Sequence, residues 1–461
     1  MSISKLQWNQ AMIQRYDLAG PRYTSYPTAP QFVESYPAGE VEAAIHRSNE
    51  AARPLSLYFH IPFCDTICYY CGCNKIVTAN RKRARPYLDS LFKEIELRAA
   101  QFDRSRPVHQ LHWGGGTPTY ISDTEKRELM AETRKHFTLL DDDSGEYSIE
   151  IHPGGLSPDT LAVLRELGFN RLSMGVQDFN PQVQKAVNRF NSVEEVAALS
   201  ERARAEGFHS LSMDLIYGLP HQTEETVAAT LEQVIELGPQ RLSLFNYAHL
   251  PHLFKSQKQM DASALPEPQV KLNILRHAIE RLQAAGYVYI GMDHFAKPDD
   301  PLAIAQEQGL LQRNFQGYAT HGNCDLLAFG VSSISAIDSI FVQNYKDIPS
   351  YTAALDAGRA PSFKGLTLTD DDLLRQAVIN QLICHFELDF HPFEHAYGIN
   401  FRDYFAGALQ ELKPLADDGL ITLHEQGLQV CSEGRLLIRR ICMAFDAYLK
   451  APQPVSYSRI L

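Results

Sequence analysis

The chain has 461 residues, 44% of them hydrophobic and 21% charged, as an ordinary globular protein with room for one large domain and a smaller one would have. A formal net charge of −12 speaks against nucleic acid as a partner, because neutralising phosphates takes a basic face. No apolar run is long enough to cross a membrane, and MSISKLQWNQAMIQRYD at the start lacks a basic stretch followed by an apolar one, so neither a membrane partner nor a secretory signal is expected.

Residues 1–50 read as an N-terminal arm. Within it GPRYTSYPTAP, from Gly20 to Pro30, holds three prolines in eleven residues, which excludes a regular helix. Arg22, Tyr23 and Tyr26 are costly residues for a surface linker, and a segment that covers a site is the alternative. From residue 54 onward short β-rich runs alternate with longer helical patterns. The runs are LSLYFHIP (55–62), HQLHWGG (109–115), YSIEIHP (147–153), RLSMGVQDF (171–179), LSMDLIYGL (211–219), RLSLFNYAHL (241–250) and YVYIGMDHF (287–295). Between them PYLDSLFKEIELRAAQF, SVEEVAALSERARAEGF and EETVAATLEQVIELG carry apolar residues at three- and four-residue intervals, and several end at glycine. Such alternation predicts an α/β fold, an incomplete (β/α) barrel of six or seven parallel strand–helix units over 51–360, with ligands at the C-terminal strand ends.

Directly after the first strand comes CDTICYYCGC, residues 64–73, which holds Cys64, Cys68, Cys71 and Cys73, half of the eight cysteines. The spacing Cys64-x3-Cys68-x2-Cys71 suits three sulfurs round one corner of an iron–sulfur cube, leaving one iron open for chemistry. Structural zinc usually takes two separated pairs or adds histidines, and here no second pair exists. A disulfide framework is not needed in a chain that buries its own core. Thiolates in an oxygen-sensitive cluster call for a reducing compartment, so the cytoplasm is expected. The basic run Arg81–Arg85 reads as a solvated surface.

Further chemistry gathers at later strand ends. Gly114–Pro118, GGGTP, offers bare backbone that a ligand can approach. Glu150, with its side chain on one face of a strand, needs a partner: an ammonium or ribose hydroxyl, or else an internal arginine. Gln177, Asp178, Asp214, Asn246 and His249 are polar residues in apolar strands, as a ligand-lined barrel shows. His60 reads equally well as a satisfied core histidine. Residues 314–335 are glycine-rich and suit a pocket lining. From residue 361 the pattern changes to a C-terminal cover domain: Thr369 is a plausible N-cap for the helix that follows, another helical run comes next, and LITLHEQGLQVCSEG closes as an apolar hairpin, a winged-helix-like module.

The cysteine spacing, with Tyr70 just before the third cysteine and the glycine run after the next strand, resembles the signature of radical S-adenosylmethionine (SAM) enzymes. Over its whole length the chain resembles the oxygen-independent coproporphyrinogen III oxidases (dehydrogenases) of that superfamily. The stretches that carry the likeness are GPRYTSYPTA, HIPFCDTICYYCGCNK, LHWGGGTPTY, FNRLSMGVQDFN, VNR, DLIYGLP, FNYAHLP, GMDHFA and RNFQGY. The resemblance implies conversion of two propionates of coproporphyrinogen III into vinyls through a 5′-deoxyadenosyl radical, with a [4Fe–4S] cluster and two SAM molecules as cofactors. It implies Cys64, Cys68 and Cys71 as cluster ligands and Cys73 and Tyr58 as catalytic residues. It places Tyr58, Gly115, Glu150 and Ile334 at the cluster-bound SAM. The second SAM would meet Tyr70, Gly116, Thr117, Gln177, Arg189, Asp214 and Ala248. An electron donor, an electron acceptor and a monomeric state are also expected. Arg22 and Arg313 suit bidentate clamps on substrate carboxylates.

One departure stands out. Where the family generally continues after Glu150 with an Asp-Pro-Arg-Glu type sequence, this chain has Ile151-His152-Pro153-Gly154-Gly155. Restoring both charges, with His152→Asp and Gly154→Arg, is expected to be tolerated and to tighten binding. A haem-binding chaperone of the same superfamily is the rival reading, opposed by Cys73, the GPRYTSYPTA arm and GMDHFA. A non-catalytic iron–sulfur or zinc scaffold is another, but it gives Glu150, Gln177 and Asp214 no purpose.

Overall fold

The structure, a computed structural model, describes residues 5–157, 159–450 and 457–459. The chain forms two compact units, one of Phe32–Ile274 with Asn323–Thr367, the other of Met1–Gln31, Leu275–Gly322 and Leu368–Leu461. The boundaries expected at residues 50 and 360 run along the chain, whereas each unit gathers separate stretches of it.

The first unit is built on a parallel sheet: β1 (Leu55–Ile61), β2 (Pro107–Gly115), β3 (Glu146–Ile151), β4 (Arg171–Gln177), β5 (Ser210–Tyr217), β6 (Arg241–Asn246) and β7 (Asp325–Phe329). Their spatial order is β7-β1-β2-β3-β4-β5-β6, every neighbouring pair parallel. The sheet stays open. Beyond β7 it continues antiparallel through Ile334–Ile337, Ile340–Asn344 and Ser362–Thr367.

The run 287–295, expected as the seventh parallel strand, is instead a hairpin of Val288–Gly291 and His294–Ala296 in the other unit. Gly291 and Met292 take positive φ angles of 148° and 54°, turning the chain back in the middle of what reads as one strand. The seventh parallel strand is DLLAF, buried on both faces, so its continuous apolar run shows no alternation to read.

Helices α1 (Ala84–Ala99), α2 (Asp123–His136), α3 (Asp159–Glu166), α4 (Pro181–Val187), α5 (Val193–Ala205) and α6 (Glu224–Leu237) connect the strands. Capping boxes at Ser122, Ser192 and Thr223 satisfy the first N–H groups of α2, α5 and α6, and α6 stops at Gly238 in the left-handed conformation. Along β3 and β4 burial alternates strictly, and along β5 it alternates from Leu211 onward. Ile149, Ile151, Leu172, Met174, Val176, Met213 and Leu215 fill the core. The opposite face carries Ser148, Glu150, Ser173, Gly175, Gln177 and Asp214, all half-buried. The period of two thus sorts core from site.

The second unit holds α7 (Asp370–His385), with Thr369 in a capping box as its N-cap. It is followed by an antiparallel sheet of β8 (Glu387–Asp389), β10 (Gly427–Val430) and β9 (Ile421–His424), in that spatial order. Phe390, Phe401, Phe405 and Phe445 stack into its core. Tyr23 and Tyr26 of the proline-rich segment are buried here at 3% and 2% exposure, and the Tyr23 hydroxyl donates to Asp446 at 2.9 Å. That segment is therefore core rather than linker.

Candidate active site

The cysteine loop is closed at its base by a two-residue parallel ladder of Phe63–Cys64 with Ile76–Val77. Its backbone is then tied down from all sides, as an irregular loop with buried polar groups must be. Tyr69 N–H donates to the Val187 carbonyl at 2.9 Å and Asn188 Nδ2 donates to the Ile67 carbonyl at 2.7 Å. Ser256 Oγ and Lys75 Nζ both donate to the Cys71 carbonyl at 2.9 Å, and Gln257 Nε2 reaches the Tyr70 carbonyl at 3.1 Å. His60 Nε2 lies 2.9 Å from the Asn74 carbonyl and its Nδ1 lies 3.0 Å from the Tyr58 hydroxyl. Both ring nitrogens are engaged and burial lowers the pKa, so His60 is a neutral core histidine that also anchors the loop. Tyr69 and Tyr70 pack on the core of Val183, Val187, Leu219, Tyr247 and Met260.

Cys64, Cys68, Cys71 and Cys73 line one cavity of about 440 Å³. Gly115, Gly116, Thr117, Glu150, Gln177, Arg189, Asp214 and Tyr70 line the same cavity. Tyr58, Ala248 and Ile334 are not on its wall. Tyr58 stacks on His112 with ring centres 5.8 Å apart. The Ala248 carbonyl accepts from the same Gln257 amide that holds Tyr70. Ile334 opens the strand that follows the Gly330 turn.

The wall is polar in a directed way. Glu150 accepts from the Gly115 N–H at 3.1 Å and lies 3.3 Å from His112 Nε2. Desolvation pushes its carboxyl up, but His112 and the Gly115 N–H outweigh this and hold it below the usual range, so it stands ionised. Asp214 is different: desolvation raises it to about 6, although Ser243 and Ser173 hydrogen-bond to it, the latter at 3.0 Å. Arg189 donates to the Cys68 thiol at 3.7 Å and to the Gly175 carbonyl, while its buried Nε has no partner. Gln177 Oε1 is likewise buried without a partner. Unsatisfied groups on a cavity wall are what a polar ligand would complete.

These residues fit an iron–sulfur cluster. Among the described residues no three His, Cys, Asp or Glu side chains converge tightly enough for a single metal ion, whereas four thiols face one cavity. Thr117 Oγ1 donates to Cys64 Sγ at 3.6 Å. The Cys71 thiol is lowered to about 6, chiefly by its hydrogen bond with Cys73 and also by Lys75, whereas burial raises Cys64 to about 11. Gly72 leaves room for the Phe254 ring, which a Cβ there would approach to 3.1 Å.

Ser173 and Lys75 belong to this wall, and His112 and Ser243 contact its carboxylates Glu150 and Asp214, although the motifs alone single out none of them. The signal for His112 was present: it precedes Gly114 by two residues in a strand, hence on the same face. The carboxylate clamps expected at Arg22 and Arg313 belong to the second unit. Arg22 there is already ion-paired with Asp293, and Arg313 lies over the Tyr318 ring at 4.7 Å.

At the departure after β3, the expected tolerance of Gly154→Arg is overturned. A Cβ at Gly154 would collide with the Phe190 carbonyl oxygen and stand 3.0 Å from the His152 ring. The Gly154 N–H donates to His152 Nδ1 at 3.1 Å, and burial beside Arg189 lowers His152 to about 3, keeping it neutral. Gly154→Arg is therefore expected to lower the thermal midpoint by several degrees, at a cost of about 1–3 kcal/mol for the displaced backbone. His152→Asp alone should fold normally; a scan showing Gly154→Arg as stable as the parent would contradict the collision.

The open parallel sheet, with a three-cysteine loop after its first strand and a glycine edge after its second, defines a radical SAM enzyme. Residues 58–234 match the model of the radical SAM superfamily, and residues 368–437 match the HemN C-terminal domain. The chain is 52% identical over 459 residues to the oxygen-independent coproporphyrinogen III oxidase of Pseudomonas aeruginosa, and 50% identical over 462 residues to that of Escherichia coli, covering 100% of each chain in both cases. A solved structure of the Escherichia coli coproporphyrinogen III oxidase, a radical SAM enzyme, superposes with a TM-score of 0.92 at 50% identity, covering 96% of this chain and 100% of that one. The chain belongs to the oxygen-independent coproporphyrinogen III oxidase family. The superfamily uses a [4Fe–4S] cluster and SAM.

Proposed function

We propose that this protein oxidatively decarboxylates two propionates of coproporphyrinogen III to vinyls, giving protoporphyrinogen IX without oxygen. The observation that carries this reading is the single cavity that gathers the four cysteines of 64–73 with Glu150, Arg189 and Asp214. Cys64, Cys68 and Cys71 would hold the cluster, leaving Cys73 free to act near the substrate. The cluster with SAM supplies a carbon radical able to take hydrogen from an unactivated C–H bond, which no side chain can do. From each propionate one hydrogen atom, carbon dioxide and one further electron must leave, the last to an acceptor.

The chain's own part is binding, orientation and exclusion of water. Ionised Glu150 offers an acceptor for the amino group or ribose hydroxyls of a first SAM along the Gly114–Gly116 edge. Arg189 presents an unsatisfied N–H toward a carboxylate. Asp214, desolvated and lacking a cation, suits the sulfonium of a second SAM, with Tyr70, Gly116, Thr117 and Gln177 around it. Tyr58 backs this wall through His112, and Ala248 is tied to Tyr70 through Gln257. No described helix is long and apolar enough to cross a membrane, and all eight cysteines are unpaired thiols, which supports a reducing cytoplasm. A monomer is the proposed working state, checked by light scattering.

The test is anaerobic turnover of coproporphyrinogen carrying deuterium at the ring-proximal propionate carbons. Deuterium should appear in 5′-deoxyadenosine only with SAM and a low-potential reductant. Vinyl product with unlabelled deoxyadenosine would defeat the proposal, and binding of haem without turnover would favour the chaperone reading.

The Asp214 role carries its own prediction. Its folded pKa, about 6, lies above the unfolded carboxylate value of about 3.9, so its ionisation opposes folding progressively from pH 4 to 6 and fully at pH 7. Asp214→Asn should therefore stabilise the fold at pH 7, by an amount of order 2 kcal/mol, so that the thermal midpoint rises there and is unchanged near pH 4. The same variant should bind SAM more weakly. A lower midpoint at pH 7 would count against the unpaired carboxylate.

A further inference from the structure

The register of β2 and β3 sets three polar side chains against one another on the half-buried face of the sheet. His112 lies directly across from Ser148, and its Nδ1 stands 2.6 Å from the Ser148 hydroxyl. Its Nε2 lies 3.3 Å from Glu150 Oε1, while the Gly115 N–H donates to Glu150 Oε2 at 3.1 Å. On the other flank Tyr58 is the register partner of His112 and stacks on its ring at an interplanar angle of 14°. The imidazole is thus held in plane by Tyr58 and in rotation by Ser148.

Gly114 makes this meeting possible. It shares a face with His112, and a Cβ there would stand 2.9 Å from both Glu150 Oε1 and His112 Nε2. The first glycine of GGGTP therefore serves the pair, whereas Gly115 leaves room for the His60 ring. The placement of the proton follows from the partners. An ionised carboxylate only accepts, so the hydrogen facing Glu150 sits on Nε2, and Nδ1 accepts from the Ser148 hydroxyl. Among the described residues Ser148 is the one hydrogen-bond partner of Nδ1. The Glu150 side chain is 44% exposed and lines the cavity, so packing alone leaves its carboxylate free to turn. His112 and the Gly115 N–H are what hold it.

We infer that Ser148 and His112 are positioning residues for SAM binding. Ser148 fixes the imidazole with its hydrogen on Nε2, and His112 turns the Glu150 carboxylate so that its remaining lone pairs face the cavity. The inference rests on the proposed meeting of Glu150 with the first SAM. Neither Ser148 nor His112 lines the cavity, so both act through Glu150. A histidine there only to satisfy its neighbours would leave SAM affinity indifferent to which ring nitrogen carries the hydrogen. Support of this kind, one shell behind the ligand, is what keeps a binding group in its productive orientation.

The test reads SAM affinity of the cluster-loaded full chain by anaerobic equilibrium dialysis with labelled SAM. His112→Phe keeps a ring against Tyr58 and removes the donor; it should weaken binding about tenfold or more, as loss of a hydrogen bond to a charged group does. His112→Gln, whose amide N–H can stand where Nε2 stood, should recover most of that loss. Ser148→Ala should weaken binding severalfold in the parent and not at all in the His112→Gln background, because Ser148 acts only through the ring. The tautomer is read by nitrogen-15 NMR of the cluster-free full chain with labelled histidine, the His112 signals being those that His112→Gln removes. Nε2 should carry the hydrogen in the parent, and both tautomers should appear in Ser148→Ala. Parental affinity in His112→Phe, with Glu150→Ala weakened, would overturn this inference alone. Parental affinity in Glu150→Ala would overturn the placement of the first SAM and this inference with it. Equal losses from Ser148→Ala in both backgrounds, or a His112 protonated on Nδ1 alone in the parent, would also overturn it. Should His112→Phe fail to fold, Ser148→Ala, which removes a single oxygen, carries the same test.

Discussion

Replacing Cys64, Cys68 or Cys71 with serine should remove the visible iron–sulfur absorption of the anaerobically reconstituted protein, and with it all SAM cleavage. Cys73→Ser should keep the absorption and lose porphyrinogen turnover. The difference follows from what a cube needs. Three thiolates secure it and leave one iron open, whereas a fourth would close the iron that must bind SAM. All four thiols line the same cavity, so distance alone does not tell them apart. Cys64, at the base ladder, is reached by Thr117, Cys68 by Arg189, and the Cys71 carbonyl by both Lys75 and Ser256. Cys73 instead makes its described contact with the Cys71 thiol. Iron content equal to the parent in a Cys64, Cys68 or Cys71 variant, or full loss of iron in Cys73→Ser, would sink this assignment.

Gly116→Ala should damage the site far beyond what one added methyl group suggests. The Gly116 N–H donates to the Ile61 carbonyl at 2.8 Å and Thr117 N–H donates to the Phe63 carbonyl at 2.8 Å, so the glycine edge is laced to the chain that leads into Cys64. A Cβ at Gly116 would lie 2.7 Å from the Phe63 oxygen and 2.7 Å from the Pro62 carbonyl carbon. Both are backbone atoms and neither can rotate away. Relief requires β1 and the cysteine loop to move apart from β2, at about 1–3 kcal/mol. The expected result is a lower thermal midpoint, weakened cluster retention on gel filtration and a sharply raised KM for SAM. Gly155→Ala is the control: no atom lies within 4 Å of where its Cβ would be, so only its φ of +73° opposes the change. Equal behaviour of the two variants would show that the close approach is not what matters at Gly116.

Much of this could be read along the chain because it depends on local pattern. The three-cysteine spacing lies within one loop, so its chemistry needed no tertiary information. Strands β1 to β6 announced themselves by half-apolar runs at regular spacing, and the Thr369 cap by a threonine before an acidic first turn. Even the choice of Glu150 came from strand alternation, and that of Gln177 and Asp214 from polar residues standing in apolar strands.

Other features depend on which segments meet. The two-residue turn at Met292–Asp293 broke one expected strand, and DLLAF hid another, because a strand buried on both faces has the same apolar run as a short helix. Whether Gly154 is a missing arginine or a required glycine depends on the Phe190 carbonyl, thirty-six residues further along the chain. That Tyr23 is core depends on Asp446. The pKa of Asp214 depends on how little water and how few partners the closed wall leaves it. Residue type and spacing thus determined the chemistry this protein can carry, because ligand identity and side-chain period are local. Its tertiary structure alone decided which groups are buried, crowded or left without a partner, because those properties arise only where distant segments touch.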